Sequence, residues 1–315
     1  MNCFQKNYWT TTITFVLTLV ISVTHDTSAA NDKAGITGFN FLKVTVGARP
    51  SALGGAYTAT TGDLEASPFN PAGVYGIRQR AGVVALASYL VDTEAGYISI
   101  ALPNDRRIWA ASVNYFTYGT LQKTNADGVA EGTFGAFDIA ATITTAQRMW
   151  KRRIVVGASV KAIYSSIGDY TSDAYAVDLG LITPGPIAGM KLGASISNMG
   201  SVRSGYTDGY KDSLPAVFRT GFSHRLAHAP LLILADINFP NDGPHYIAFG
   251  AELKIGNKLF LRPGYSLQQT GSQGDESLGL TAGAGMELQR YRVDYAFASY
   301  PSLGDVHRLS VTGRI

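Results

Sequence analysis

From residue 83 to the end of the chain, apolar and polar residues alternate at every second position. Leu309, Val311, Gly313 and Ile315 share one face of the last segment, and Arg308, Ser310, Thr312 and Arg314 share the other. Tyr291, Val293, Tyr295 and Phe297 alternate with Arg292, Asp294, Ala296 and Ala298. Leu278, Leu280, Ala282, Ala284, Met286 and Leu288 alternate with Gly279, Thr281, Gly283, Gly285, Glu287 and Gln289. A period of two marks a strand with unlike faces. Ordinary strands average about 5–6 residues, whereas a tilted strand that crosses a bilayer needs about 9–11. The longer of these runs match the second figure.

About fourteen such segments can be drawn, an even number, as bacterial single-chain barrels require. They are 83–90, 95–102, 108–118, 134–145, 153–164, 175–182, 188–198, 216–225, 230–238, 246–253, 258–266, 277–288, 291–299 and 307–315. The connections 103–107, 146–152, 183–187, 226–229, 254–257 and 289–290 are short. Those at 119–133, 165–174, 199–215, 239–245, 267–276 and 300–306 are longer, polar and Gly-rich. Short and long alternate, which is the asymmetry of short periplasmic turns and long outer loops. The pattern predicts an all-β fold, a transmembrane antiparallel up-and-down barrel over 83–315. In lipid every backbone N–H and C=O needs an internal partner, so the sheet must close on itself.

Residues 31–82 break the alternation. They are rich in small residues, as in Gly47-Ala48-Arg49-Pro50-Ser51-Ala52-Leu53-Gly54-Gly55-Ala56-Tyr57, and run on to Asn70-Pro71-Ala72-Gly73. Pro50 suits the first turn of a helix, Gly54-Gly55 its end, and Asn-Pro a turn. A barrel of about fourteen strands is too wide for wall side chains alone to fill. We therefore expect 31–82 to fold as short helices and turns inside the barrel, as a hatch. Asp236, Asn238, Arg262, Arg292 and Asp294 fall on the polar, lumen-facing positions of their segments, where they can hold such a plug by ion pairs.

Composition agrees with this reading. Charged residues are 16% of the chain, against about 25% in soluble domains. The 35 glycines and 17 tyrosines suit close strand packing and membrane interfaces. A net charge of +3 without a basic run excludes nucleic acid as the expected partner. The first thirty residues read as a signal peptide over 1–30. Lys6 precedes the apolar stretch Thr11 to Val23, and the small residues Ser28-Ala29-Ala30 follow. That stretch is short for a membrane-spanning helix. The only cysteine, Cys3, lies before the apolar stretch, so a mature chain would carry no disulfide.

No catalytic, cofactor or metal constellation stands out, and we expect neither an enzyme nor a cofactor. His224 and His228 are four apart on a strand end and turn and read as solvated, not as a zinc pair. Asp305 and His307 read as loop solvation and a strand start. Asp169, Asp173 and Asp178, and Asp208 and Asp212, lack the ligand spacing of a calcium loop.

Phe41-Leu42-Lys43, Gly47-Ala48-Arg49, Ala52-Leu53-Gly54-Gly55-Ala56-Tyr57 and Asn70-Pro71-Ala72-Gly73 resemble the start of the PorV/PorQ family. The end, Asp294-Tyr295-Ala296-Phe297, Leu303-Gly304 and His307-Arg308-Leu309-Ser310, matches as well. That family is similar in architecture to the FadL long-chain fatty-acid transporters, and the resemblance implies a hatch containing Gly47, Arg49, Gly54, Gly55, Asn70, Pro71 and Ala72. It also implies an outer-membrane location. Its implied role is an accessory or shuttle in type IX secretion, binding secreted cargo proteins and the secretion machinery. Met199, Tyr206 and Tyr210 in the expected 199–215 loop are the candidate partner anchors. The alternative is a FadL-like transporter for hydrophobic small molecules, long-chain fatty acids or aromatics.

Overall fold

The computed structural model describes residues 36–315 except 92, 105, 150–152, 208, 268–278 and 301–303. The expected signal peptide lies outside the described residues, as does the start of the 31–82 segment. The chain forms one closed antiparallel barrel of 14 strands, each paired with its neighbours in sequence. They are β1 (Ala81–Ser88), β2 (Glu94–Pro103), β3 (Arg107–Thr124), β4 (Ala130–Met149), β5 (Ile154–Ile167), β6 (Tyr170–Pro184), β7 (Met190–Ser204), β8 (Val217–Arg225), β9 (Leu231–Pro240), β10 (Tyr246–Ile255), β11 (Leu259–Ser266), β12 (Leu280–Leu288), β13 (Tyr291–Tyr300) and β14 (Gly304–Arg314). The ring closes where β1 meets β14, in register from Ala81↔Arg314 to Ser88↔His307.

The period-two pattern sorts the wall. Outward positions are apolar and bare: Val160 is 62% exposed and Ile143 61%. Their neighbours Ser159, Lys161 and Thr144 point inward and are buried. Apolar side chains outside and polar ones inside invert a soluble core and fit a sheet whose outer solvent is lipid.

The longer connections differ from expectation. The expected 119–133 loop is mostly hairpin, because β3 runs 18 residues and β4 runs 20. Its tip is tight: Asn125 Oδ1 accepts the N–H groups of Asp127 (3.0 Å) and Val129 (2.9 Å), and Gly128 takes a positive φ of 78°. At roughly 3.3 Å per residue, β4 is far longer than a bilayer core of about 30 Å requires. The ladder therefore continues past the membrane, where polar residues can still pair. The loop expected over 165–174 shrinks likewise, since β5 ends at Ile167 and β6 starts at Tyr170.

Inside the wall lie the remaining elements: α1 (Ala48–Ala52) and three 3-10 turns, Asn40–Lys43, Leu64–Ala66 and Pro71–Val74. α1 packs on β11 to β14, Leu64–Ala66 on β1 and β2, and Pro71–Val74 on β4, β5 and β6.

Candidate functional site

The interior is built from segment 37–75 and the inward rows of the strands. Gly54 and Gly55 end α1 with φ of 66° and 82°; the Gly55 N–H donates back to Pro50 O at 2.9 Å. Ala48 N–H donates to Ser310 Oγ (2.8 Å). Thr281 Oγ1 accepts from Gly54 N–H (3.1 Å) and donates to Ala52 O (3.0 Å). The N–H groups of Tyr57 and Thr58 both donate to Asp236 Oδ2, at 2.7 and 2.8 Å.

Asn70 is fully buried and ties two strands to the segment. Its Oδ1 accepts from Ala72 N–H (3.0 Å), capping the turn that Pro71 starts. Its Nδ2 donates to Thr58 O (2.8 Å) and, on the wall, to Leu181 O (3.1 Å) and Ala194 O (3.3 Å). Asn–Pro–Ala thus lies flat against β5, β6 and β7. That approach is possible because Gly157, Gly180 and Gly193 face inward there. A Cβ on Gly157 would collide with the Ala72 backbone, and one on Gly180 with the Asn70 side chain. Gly264 and Gly283 play the same part under Gly54 and Ala52. Sequence reading missed these docking positions; their signal was glycine on inward strand positions, which marks close backbone approach.

An ionic chain crosses from the segment into β10 to β13. Arg49 donates to Glu252 (2.8 and 2.9 Å) and to Asp63 (2.7 Å). Arg262 donates to Glu252 (2.7 Å) and Asp294 (2.8 Å), and Arg292 to Asp294 (2.6 Å) and Asp63 (3.0 Å). Arg262, Arg292 and Asp294 thus face the interior, as their alternation predicts, joined by Glu252. Burial raises the carboxyl of Asp63, but the guanidinium charges of Arg292 and Arg49 outweigh it and hold the group well below the usual carboxylate range. Beside it, burial and then the negative charge of Asp63 push Glu65 up to about 7.

Two cavities lie on opposite sides of this belt. The one toward the long-hairpin end has about 430 Å³ and is lined by Phe41, Phe69, Tyr89, Phe116, Tyr118 and Tyr300, with Arg219 and Arg308 among them. Arg308 is only 3% exposed. Its Nε donates to Thr45 O at 2.7 Å and its guanidinium lies 5.7 Å from the Tyr89 ring. Its Nη1 has no hydrogen-bond partner, and no carboxylate among the described residues pairs with it. The second cavity, at the short-turn end, has about 460 Å³ and is lined by Asp63, Arg78, Arg290, Arg292, Thr312 and Arg314.

The expected 199–215 loop is shorter than the alternation suggests. β7 continues to Ser204 past a bulge at Asn198, whose φ is 60°, so Met199 is a strand residue. Tyr206 is half-buried and its hydroxyl pairs with Ser165. Tyr210 alone of the three is open, at 62% exposed. Among the described residues no three His, Asp or Glu side chains gather as metal ligands would. His307 pairs with the Tyr295 hydroxyl (2.7 Å) on the outer face.

A filled, closed barrel with an apolar exterior defines a membrane barrel of the outer-membrane class. The chain belongs to the uncharacterised protein family UPF0164, whose family model matches residues 16–176. No curated protein matches it. Among solved structures it is similar to a deletion mutant of the TodX monoaromatic hydrocarbon channel. That match has 14% identity and a TM-score of 0.63, over 84% of this chain and 97% of that one. A Pseudomonas aeruginosa FadL homologue is similar too, with 11% identity and a TM-score of 0.60, over 86% and 98%. The FadL-like architecture implied by the two ends of the chain is therefore the observed fold.

Proposed function

We propose that the protein sits in the outer membrane and passes hydrophobic small molecules carrying an anionic group, with segment 37–75 as its hatch. Arg308 carries this reading. A buried guanidinium without a counter-charge is costly, on the order of several kcal/mol. Here it faces a cavity walled by aromatic rings. A ligand with an apolar body and a carboxylate would satisfy both. Arg219 supports the same reading, with its guanidinium 5.7 Å from the Phe69 ring. The fold likeness to a hydrocarbon channel and a FadL homologue supports transport of apolar molecules.

The secretion-accessory reading has no support from the fold likeness, and of its candidate anchors Met199 and Tyr206 are half-buried while Tyr210 is exposed. The transport reading is tested by calorimetric titration of the purified protein with an alkyl carboxylate, an aryl carboxylate and their neutral amides. A charged hydrogen bond is worth about 1.5–3 kcal/mol, so Arg308→Gln should weaken carboxylate binding roughly tenfold or more and leave the amides unchanged. Equal binding of acids and amides by the native protein sinks the anionic assignment; binding of neither sinks the transport reading.

A further inference from the structure

One end of the barrel carries a basic rim. All six hairpin turns that leave β2, β4, β6, β8, β10 and β12 lie at one end, with the start of β1 and the end of β14. Arg78, Arg106, Arg148, Arg225, Arg290 and Arg314 stand on that rim, each exposed. None of the six has an ion-pair partner among the described residues. Among the described side chains of this rim, the carboxylate of Glu287 is taken up by Lys254 at 3.7 Å. The opposite end is mixed, exposing Glu94, Asp127, Glu131, Asp169 and Asp305 beside Lys43, Lys123, Arg203 and Lys211. With a net charge of only +3 over the whole chain, the basic rim reflects placement and not composition.

The arginines also surround the opening rather than the lipid face. Arg148, Arg225 and Arg314 extend the inward rows of β4, β8 and β14, beyond buried Ala146, Ser223 and Ser310. The outward row at this level is Trp109, Leu192, Leu259 and Tyr291, all exposed. Lipid headgroups would meet that apolar and aromatic girdle first. A water-soluble body covering the mouth would meet the guanidinium groups, above the cavity lined by Arg78, Arg290 and Arg314. Like charges left unpaired around a mouth attract a surface of opposite sign and speed its encounter.

We propose that the short-turn face is a docking surface for a soluble protein with an acidic contact face, which covers the barrel mouth on the periplasmic side. This does not depend on which ligand the barrel carries. A photo-crosslinking amino acid at Gln289, in the turn beside Arg290, reports the neighbour in the native envelope. The result expected is an adduct with one acidic soluble protein. Purified, that protein binds the full chain in nanodiscs of zwitterionic lipid. Arg290→Glu with Arg314→Glu weakens binding at least tenfold, while Glu131→Lys at the far rim does not. Arg290→Gln with Arg314→Gln gives an intermediate loss and guards against misfolding of the reversed variant, as does an unchanged heat-dependent gel shift. Adducts with lipid only, no adduct, or a partner indifferent to the charge reversal would each overturn the proposal.

Discussion

At the scale of single residues the interior is governed by what a Cβ can and cannot occupy. Gly180→Ala places a methyl against the Asn70 side chain, with wall backbone on either side. Overpacking of this kind costs about 1–3 kcal/mol, and a proteolysis assay should show the N-terminal segment released. Gly96→Ala is the control: its Cβ would sit in open outer space, 3.8 Å from Leu86 Cδ2, and should leave the protection unchanged. If both variants behave alike, the wall glycines are not docking positions. Asp236→Ala is the polar counterpart. It strands the N–H groups of Tyr57 and Thr58 in a buried site, and each lost charged bond is worth about 1.5–3 kcal/mol. The segment should again become protease-sensitive, with the barrel's heat-dependent gel shift intact. Asp236 and Asn70 could be singled out from the chain by alternation and by the Asn-Pro turn. That Gly180 lies under Asn70 could not, because alternation gives a face and not the partner across the lumen.

At the scale of elements, the strands were legible because each repeats one rule over many residues. Their ends were not. Lipid ends the need for an apolar face, but it does not end hydrogen bonding. Polar residues after Thr117 therefore continue the β3–β4 ladder that sequence reading ended as a loop. The short elements of 37–75 were legible only as an interruption, since α1 is too short to show a helical period and is held by tertiary bonds. The ionic chain between these elements predicts a pH window. Asp63 titrates below its ordinary 3.8, so its contribution is complete above that value and is lost as pH falls through the depressed one. Glu65 runs the other way: raised from 4.5 to about 7, it contributes fully below 4.5 and loses this as pH rises through 7. Protection of the segment against protease should be greatest at about pH 4 and should fall as pH rises from 4.5 to about 7. Glu65→Gln should remove the decline on the alkaline side. A variant that still loses protection between pH 4.5 and about 7 would place the titration elsewhere.

At the scale of the whole molecule, two cavities face opposite ends and one charged belt separates them, so under the proposed transport function the resting barrel is shut. Its closure rests on paired charges, which makes it separable from the barrel's own stability. Arg49→Ala with Asp63→Ala removes one positive and one negative charge from the belt. Glu252 keeps Arg262 and Arg292 keeps Asp294, so neither remaining charged partner is orphaned, while the Tyr57 hydroxyl and the Glu65 N–H lose their acceptor. The wall ladder is untouched by either change. In a planar bilayer the native protein should pass little current, while the double variant should show frequent openings. The same change made outside the belt, at Arg203 and Asp173 on the hairpin end, should leave the channel shut. Openings in neither variant would mean that glycine-backed backbone contacts, not charge, hold the two cavities apart, and the route between them would then have to be sought along the β5 to β7 wall.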